Sequence, residues 1–274
     1  MEQCKQRNWI ALLVLLLGIG VMLYAGGRFK EKDEVYREGN MIYETLSERV
    51  RVGAAAGDGR QRDARQAAAG IGAEGVETPA NDAGNNLYNN PKIDFAALKA
   101  INSDAAAWLY CPDTPIDYPV MRADDYDYYL SHLADGTLKA NGALFIDYNN
   151  ASDFSERLTV IYGHHMKSGR MFGGLKGYKN QQYFEDHPVM YLNTENQDYR
   201  VDLIYGCVIG AGEWSEYAFM YEENLEALLA YAAENTTFRS GASYAEGDRI
   251  VALSTCSYEF DDARYVVLGV LNPL

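Results

Sequence analysis

From about Lys92 to the C-terminus, short apolar runs alternate with turn residues, a pattern that predicts strands. The runs are Ala107–Tyr110, Ile116–Val120, Ala143–Ile146, Leu158–Tyr162, Val189–Leu192, Tyr199–Ile209, Ile250–Ser254 and Tyr265–Leu271. Eight strands at irregular intervals, with few helices between them, predict a mainly β domain: an antiparallel or mixed barrel, with a sandwich as the alternative. Two segments change period. Asp94 stands as an N-cap before a short helix ending at Ile101, and Glu222–Thr236 sets Leu225, Leu228, Leu229 and Tyr231/Ala232 on one helical stripe. A helix inserted between barrel strands is expected to cover an open end or edge.

Upstream of Lys92 the pattern differs. Asn8 to Gly27 carries no charge, and as a helix it covers about 28 Å, close to the hydrocarbon thickness of a bilayer. A membrane anchor is expected within residues 1–30, with a cleaved signal peptide ending near Tyr24-Ala25-Gly26-Gly27 as the alternative. Lys5 and Arg7 favour a cytoplasmic N-terminus, although Arg28, Lys30 and Lys32 weaken the bias. Either reading exports the remainder, so the expected location is the cell membrane with the folded domain outside. Residues 31–52 place Val35, Met41, Ile42, Leu46 and Val50 at loose helical spacing among many charges, which predicts a solvated juxtamembrane helix. Residues 53–91 are rich in Gly, Ala, Asp, Arg and Asn without a sustained period, the composition of a flexible linker with a reach of about 35 Å. The folded domain is expected over 92–274.

Charge narrows the partners. A net charge of -15 repels a phosphate backbone, so nucleic acid is not an expected partner. Cys4, Cys111, Cys207 and Cys256 lack the spacing of a metal cluster, so a structural zinc site is not expected. With Cys4 inside the membrane boundary, three exported cysteines leave at least one unpaired.

Cys256 follows the buried-looking run Ile250-Val-Ala-Leu-Ser, at a predicted strand end where a scaffold can present a reactive group. The chain has four histidines, and two of them, His164 and His165, are adjacent at the end of another strand, after Gly163. An imidazole beside a thiol lowers the thiol pKa and can protonate a leaving amine. Arg264 lies eight positions beyond Cys256, before the last strand, and its permanent charge and several donors suit a developing oxyanion. Taken singly, each has an ordinary reading: a core cysteine, a surface histidine pair, an Arg paired with Asp261 or Asp262. Asp124-Asp125 and Asp261-Asp262 read as solvated charge pairs.

Leu253-Ser-Thr-Cys256, followed by Arg264, resembles the Leu-x-Thr-Cys strand end of the sortases. Val160-Ile-Tyr-Gly-His-His165 resembles the family's Gly-His segment in its class B form, and the interval of 92 residues from His164 to Cys256, with a long helix inside it, is similar to that class. Trp108 to Val120, ending Ile-Asp-Tyr-Pro-Val, is similar to an early stretch of the family, so the resemblance spans about 92–274. Ala252 departs from the Thr that many sortases carry there.

The resemblance implies an eight-stranded sortase barrel with peripheral helices in a cysteine transpeptidase of Gram-positive bacteria. It implies Cys256 as nucleophile, His164 as proton donor with His165 as the fallback, Arg264 as the carbonyl and oxyanion ligand, and no metal or cofactor. Ser254, two residues before Cys256 and so on the same side of the strand, is a candidate contact for the substrate or the Arg, with a satisfied structural hydroxyl as the alternative, and Thr255 is a second candidate substrate contact. The implied partners are secreted proteins bearing an Asn-Pro-x-Thr-like signal, cleaved after Thr, and a peptidoglycan-precursor or pilin amine. An extracellular cysteine peptidase or cell-wall hydrolase would use the same residues with water, and a tethered binding module would not need the cysteine.

Overall fold

The computed structural model describes residues 34, 36–52, 90–122, 124–219 and 221–274, without the side chains of 217–219 and 221–223. The uncharged segment 8–27 and the stretch 53–89 lie outside the described residues. Among the described residues no helix is long and apolar enough to cross a membrane.

Eight strands close into one barrel: β1 (Ala105–Tyr110), β2 (Asp117–Arg122), β3 (Leu144–Ile146), β4 (Leu158–Tyr162), β5 (Val189–Thr194), β6 (Asp198–Gly210), β7 (Ile250–Cys256) and β8 (Ala263–Pro273). Around the barrel the order is β1-β2-β3-β4-β7-β8-β6-β5, and β5 pairs back with β1. β2 runs parallel to β3 and β4 to β7, while the remaining pairs are antiparallel, so the barrel is mixed. Each strand expected from the sequence is present.

The helix of residues 221–234, α6 (Tyr221–Glu234), corrects one expectation. A closed barrel has no edge to cover, and α6 lies on the outer wall instead. Its Leu225, Leu228, Leu229 and Ala232 pack against Leu158, Val160, Ile250, Ala252, Val266 and Leu268. On β7 the alternate residues Val251 and Leu253 turn into the barrel. Burial on both faces is why this strand reads as a continuous apolar run rather than an alternation.

Upstream, residues 36–50 form α1. The expectation that it is solvated is wrong: Tyr43, Leu46 and Val50 are buried in the main core, and Gly39 is buried above them on the same face. The packed stripe is 39, 43, 46 and 50, a helical repeat. Gly39 and Tyr43 went unread as apolar, whereas Met41, counted as apolar, is exposed. Arg51 then pairs with Asp117 and bridges to Ile93, and Val52 N donates to Lys92 O at 2.9 Å. Residues 51–52 and 92–93, on either side of that stretch, therefore meet on the domain.

The helix expected after Asp94 is α2 (Phe95–Ile101), with the Asp94 side chain accepting from Ala97 N. Four further features complete the covering: α3 (Tyr128–Ser131), a 3-10 segment (Phe172–Lys179), α4 (Gln181–Asp186) and α5 (Ala211–Phe219).

Candidate active site

Cys256 is the last residue of β7 and stands directly across from Arg264, the second residue of β8. The cross-strand register therefore sets Cys256 and Arg264 opposite each other, with residues 257–263 between them in the chain. β4 runs parallel to β7 with Tyr162 opposite Ser254, and Gly163 N continues the ladder to Ser254 O at 3.2 Å. His164 thus emerges at the same barrel end, one strand away. Gly163 is needed there, because a Cβ would come within 2.4 Å of Leu144 and 2.7 Å of Phe172.

Cys256, His164 and Arg264 line one open cleft of about 400 Å³. The structure brings together all three residues singled out in the sequence. Cys256 is exposed, whereas Cys111 and Cys207 are buried, and all three are free thiols. Burial raises the Cys111 thiol and pushes Cys207 up to about 12, so those two are held as inert thiols at neutral pH. Arg264 forms no ion pair with Asp261 or Asp262 among the described residues. Its Nη1 donates to the backbone carbonyls of Ala263 at 3.1 Å and, at the limit of reach, of Asp262, which leaves most of its donors free.

The His164 ring is held on its far side: Nε2 lies 2.7 Å from Leu130 O. A carbonyl only accepts, so Nε2 carries the hydrogen and Nδ1 is the nitrogen left for chemistry. The backbone is fixed too, because Met166 N and Phe172 N both donate to His164 O at 3.1 Å. His165 has a different place. Its Nδ1 donates to Cys256 O at 2.8 Å, its ring meets Tyr258 edge-on, and it does not line the cleft. Burial, with Lys176 and Lys179 nearby, holds its imidazole below the ordinary range despite that bond.

Ser254 and Thr255 both line the cleft but differ in what they offer. The Thr255 hydroxyl donates to Gly163 O at 2.7 Å, tying the strand bearing Cys256 to the residue before His164. Ser254 is two positions from Cys256 on the strand, its hydroxyl is buried, and it has no hydrogen-bond partner among the described residues. Such a group is costly unless a ligand completes it.

Several cleft residues were missed in the sequence. Tyr126, Leu130, Phe145, Tyr162 and Trp214 form its apolar walls. Buried Asp147 accepts from the hydroxyls of Tyr126 at 3.0 Å and Tyr162 at 2.9 Å, fixing both rings. Burial, reinforced by Asp147, raises both phenols. Tyr162 lies in the Gly-His stretch but reads only as a strand residue, the others carry no motif, and Trp214 sits on α5, a helix the apolar spacing did not reveal.

Opposite the cleft rim, the turn 257–262 is pinned from the 3-10 segment. Lys179 pairs with Glu259 and donates to Ser257 Oγ at 3.0 Å, and Ser257 in turn bonds Glu259. Burial works to raise the Glu259 carboxyl, but the bonds from Lys179 and Ser257 outweigh it and bring it down to about 2.

No family model matches the chain. The sortase B of Listeria monocytogenes serovar 1/2a is 31% identical over 190 residues, covering 68% of this chain and 77% of that protein. The crystal structure of Clostridium perfringens sortase B superposes with a TM-score of 0.59 at 28% identity, over 65% of this chain and 98% of that one. A Staphylococcus aureus sortase B–substrate complex superposes with a TM-score of 0.61 at 24% identity, over 66% of this chain and 85% of that one, a likeness of fold.

Proposed function

The chain belongs to the sortase B family and is a cysteine transpeptidase, and on that footing we propose that Cys256, His164 and Arg264 carry out the acyl transfer on a C-terminal sorting signal. The observation that carries the assignment is the cross-strand pairing of Cys256 with Arg264 in a cleft that also holds His164. In the first half-reaction the Cys256 thiolate attacks the Thr carbonyl carbon of an Asn-Pro-x-Thr-like signal. A C–S bond forms, and the Arg264 guanidinium holds the oxyanion through charge-assisted hydrogen bonds. As the C–N bond breaks, the departing amine takes the proton from Nδ1 of protonated His164, while Nε2–H stays on Leu130 O. In the second half-reaction an acceptor amine attacks the thioester and gives its proton to His164. The C–S bond breaks, an amide forms, and the thiolate returns.

The acceptor in this reading is an amine of a peptidoglycan precursor or a pilin. Ser254, buried and without a partner among the described residues, is suited to a polar atom of the bound signal, and Thr255 holds Gly163 and so His164. The uncharged segment 8–27 would hold the enzyme in the membrane, its N-terminus cytoplasmic and its folded domain outside.

The test is incubation of the protein with an Asn-Pro-x-Thr peptide and a primary amine. An amide product that disappears in Cys256→Ala supports the reading. Cleavage without amide at any amine concentration would assign a hydrolase instead.

A further inference from the structure

We propose that Tyr43 on α1 is a positioning residue for His164, acting through the backbone of Gly142. The inference rests on the reading of His164 as the proton-transfer group. Tyr43 lies 99 positions from Gly142 in the chain, yet its buried hydroxyl donates to Gly142 O at 2.6 Å. Gly142 in turn lies flush against the imidazole. A Cβ there would stand 2.9 Å from His164 Cδ2, 2.6 Å from Tyr129 O and 2.9 Å from Leu130 O, and its φ of +59° is one that glycine adopts without strain.

The imidazole is thus held between two stretches of backbone. One is Leu130, whose carbonyl holds Nε2 at 2.7 Å. The other is Gly142, continued by Ala143 N, which donates to Tyr129 O at 2.9 Å. The second stretch is gripped by α1 at adjacent points. Asn141 Nδ2 donates to Tyr36 O and to Asn40 Oδ1, each at 3.1 Å. Gly39 leaves room for this, since a Cβ there would come within 2.5 Å of Asn141 Oδ1.

A helix docked only to bury apolar surface would have no use for this hydroxyl. Leu46 and Val50 supply apolar burial nearer the C-terminal end, whereas the side chains of Tyr43 and Asn40 reach the loop beside His164. In Tyr43→Phe the Gly142 carbonyl loses its donor while an aromatic ring still fills the space. A displacement of the order of 1 Å at a proton-transfer group can cost about a hundredfold in rate, so loss of one of several restraints is expected to cost about tenfold.

The experiment measures transpeptidation by the full chain in detergent, using an Asn-Pro-x-Thr peptide and a primary amine. Four variants are compared with wild type: Tyr43→Phe, Asn40→Ala, Arg51→Gln and His164→Gln. Tyr43→Phe is expected to lower kcat about tenfold with KM unchanged, and to move the limb of the pH–kcat profile that His164 sets. Asn40→Ala should do the same more weakly. Arg51→Gln, which loosens the far end of α1, should alter neither. In a His164→Gln background Tyr43→Phe should cost nothing further, the non-additivity expected of residues acting through one another.

A folded Tyr43→Phe enzyme with wild-type kcat and an unmoved profile overturns the inference, as does an equal loss in the His164→Gln background. If Tyr43→Phe does not fold, the same two outcomes in Asn40→Ala decide. His164→Gln with wild-type turnover would instead overturn the assignment of the site itself.

Discussion

Arg264 meets backbone carbonyls rather than a carboxylate, so its charge is not neutralised before a substrate arrives. Its value over lysine lies in a planar fork of donors, which one ammonium cannot reproduce. Arg264→Lys is therefore expected to lower kcat by about two orders of magnitude, the usual cost of an oxyanion donor, with little change in melting temperature. Steady-state kinetics would check this, and near wild-type kcat would remove Arg264 from the site. Cys256, His164 and Arg264 were legible in the sequence because each sits at a strand terminus flanked by recognisable residues. Tyr43, Asp147 and Trp214 were not, because their roles depend on contacts with residues 15 to 99 positions away or on a helix with no clear apolar stripe. The choice of His164 over His165 rests on its place directly after Gly163, and the fold supplies the physical difference: His164 lines the cleft while His165 bonds the Cys256 carbonyl.

At the scale of elements, the eight strands were readable because β-branched and aromatic runs were separated by turn residues. α5 was not, since it follows β6 directly, without a turn, and its first residues, Ala211-Gly212-Glu213, give no capping signal. The turn between β7 and β8 carries a prediction about pH. The Glu259 carboxyl is at about 2 in the folded protein, whereas an unfolded Glu titrates near ~4.3. A depressed carboxylate contributes stability in full above the unfolded value, and the contribution is lost as pH falls through the folded one. Glu259→Gln should thus melt below wild type at neutral pH, with the gap closing between about pH 4.3 and about pH 2. Thermal melts across that range check it, and a gap independent of pH would contradict it.

For the whole molecule, α1 alters how the domain relates to the chain before it. Because α1 is docked and Arg51 pairs with Ile93, α1 is held on the barrel by its own contacts. The sequence could not show this, because composition does not reveal that the residues on either side of a linker-like stretch pair with each other. Replacing residues 54–89 by a short Gly/Ser turn is expected to leave the melting temperature and the peptide transpeptidation rate unchanged. Loss of either would show that the stretch supports the fold or the site.

All of this depends on a thioester at one sulfur. Mass spectrometry of the protein mixed with an Asn-Pro-x-Thr peptide, before any amine is added, tests it most directly. The account predicts a mass gain equal to the peptide up to Thr, located on Cys256, labile to hydroxylamine and absent from Cys256→Ala. A peptide adduct on any other residue, or amide product formed by Cys256→Ala, would contradict it.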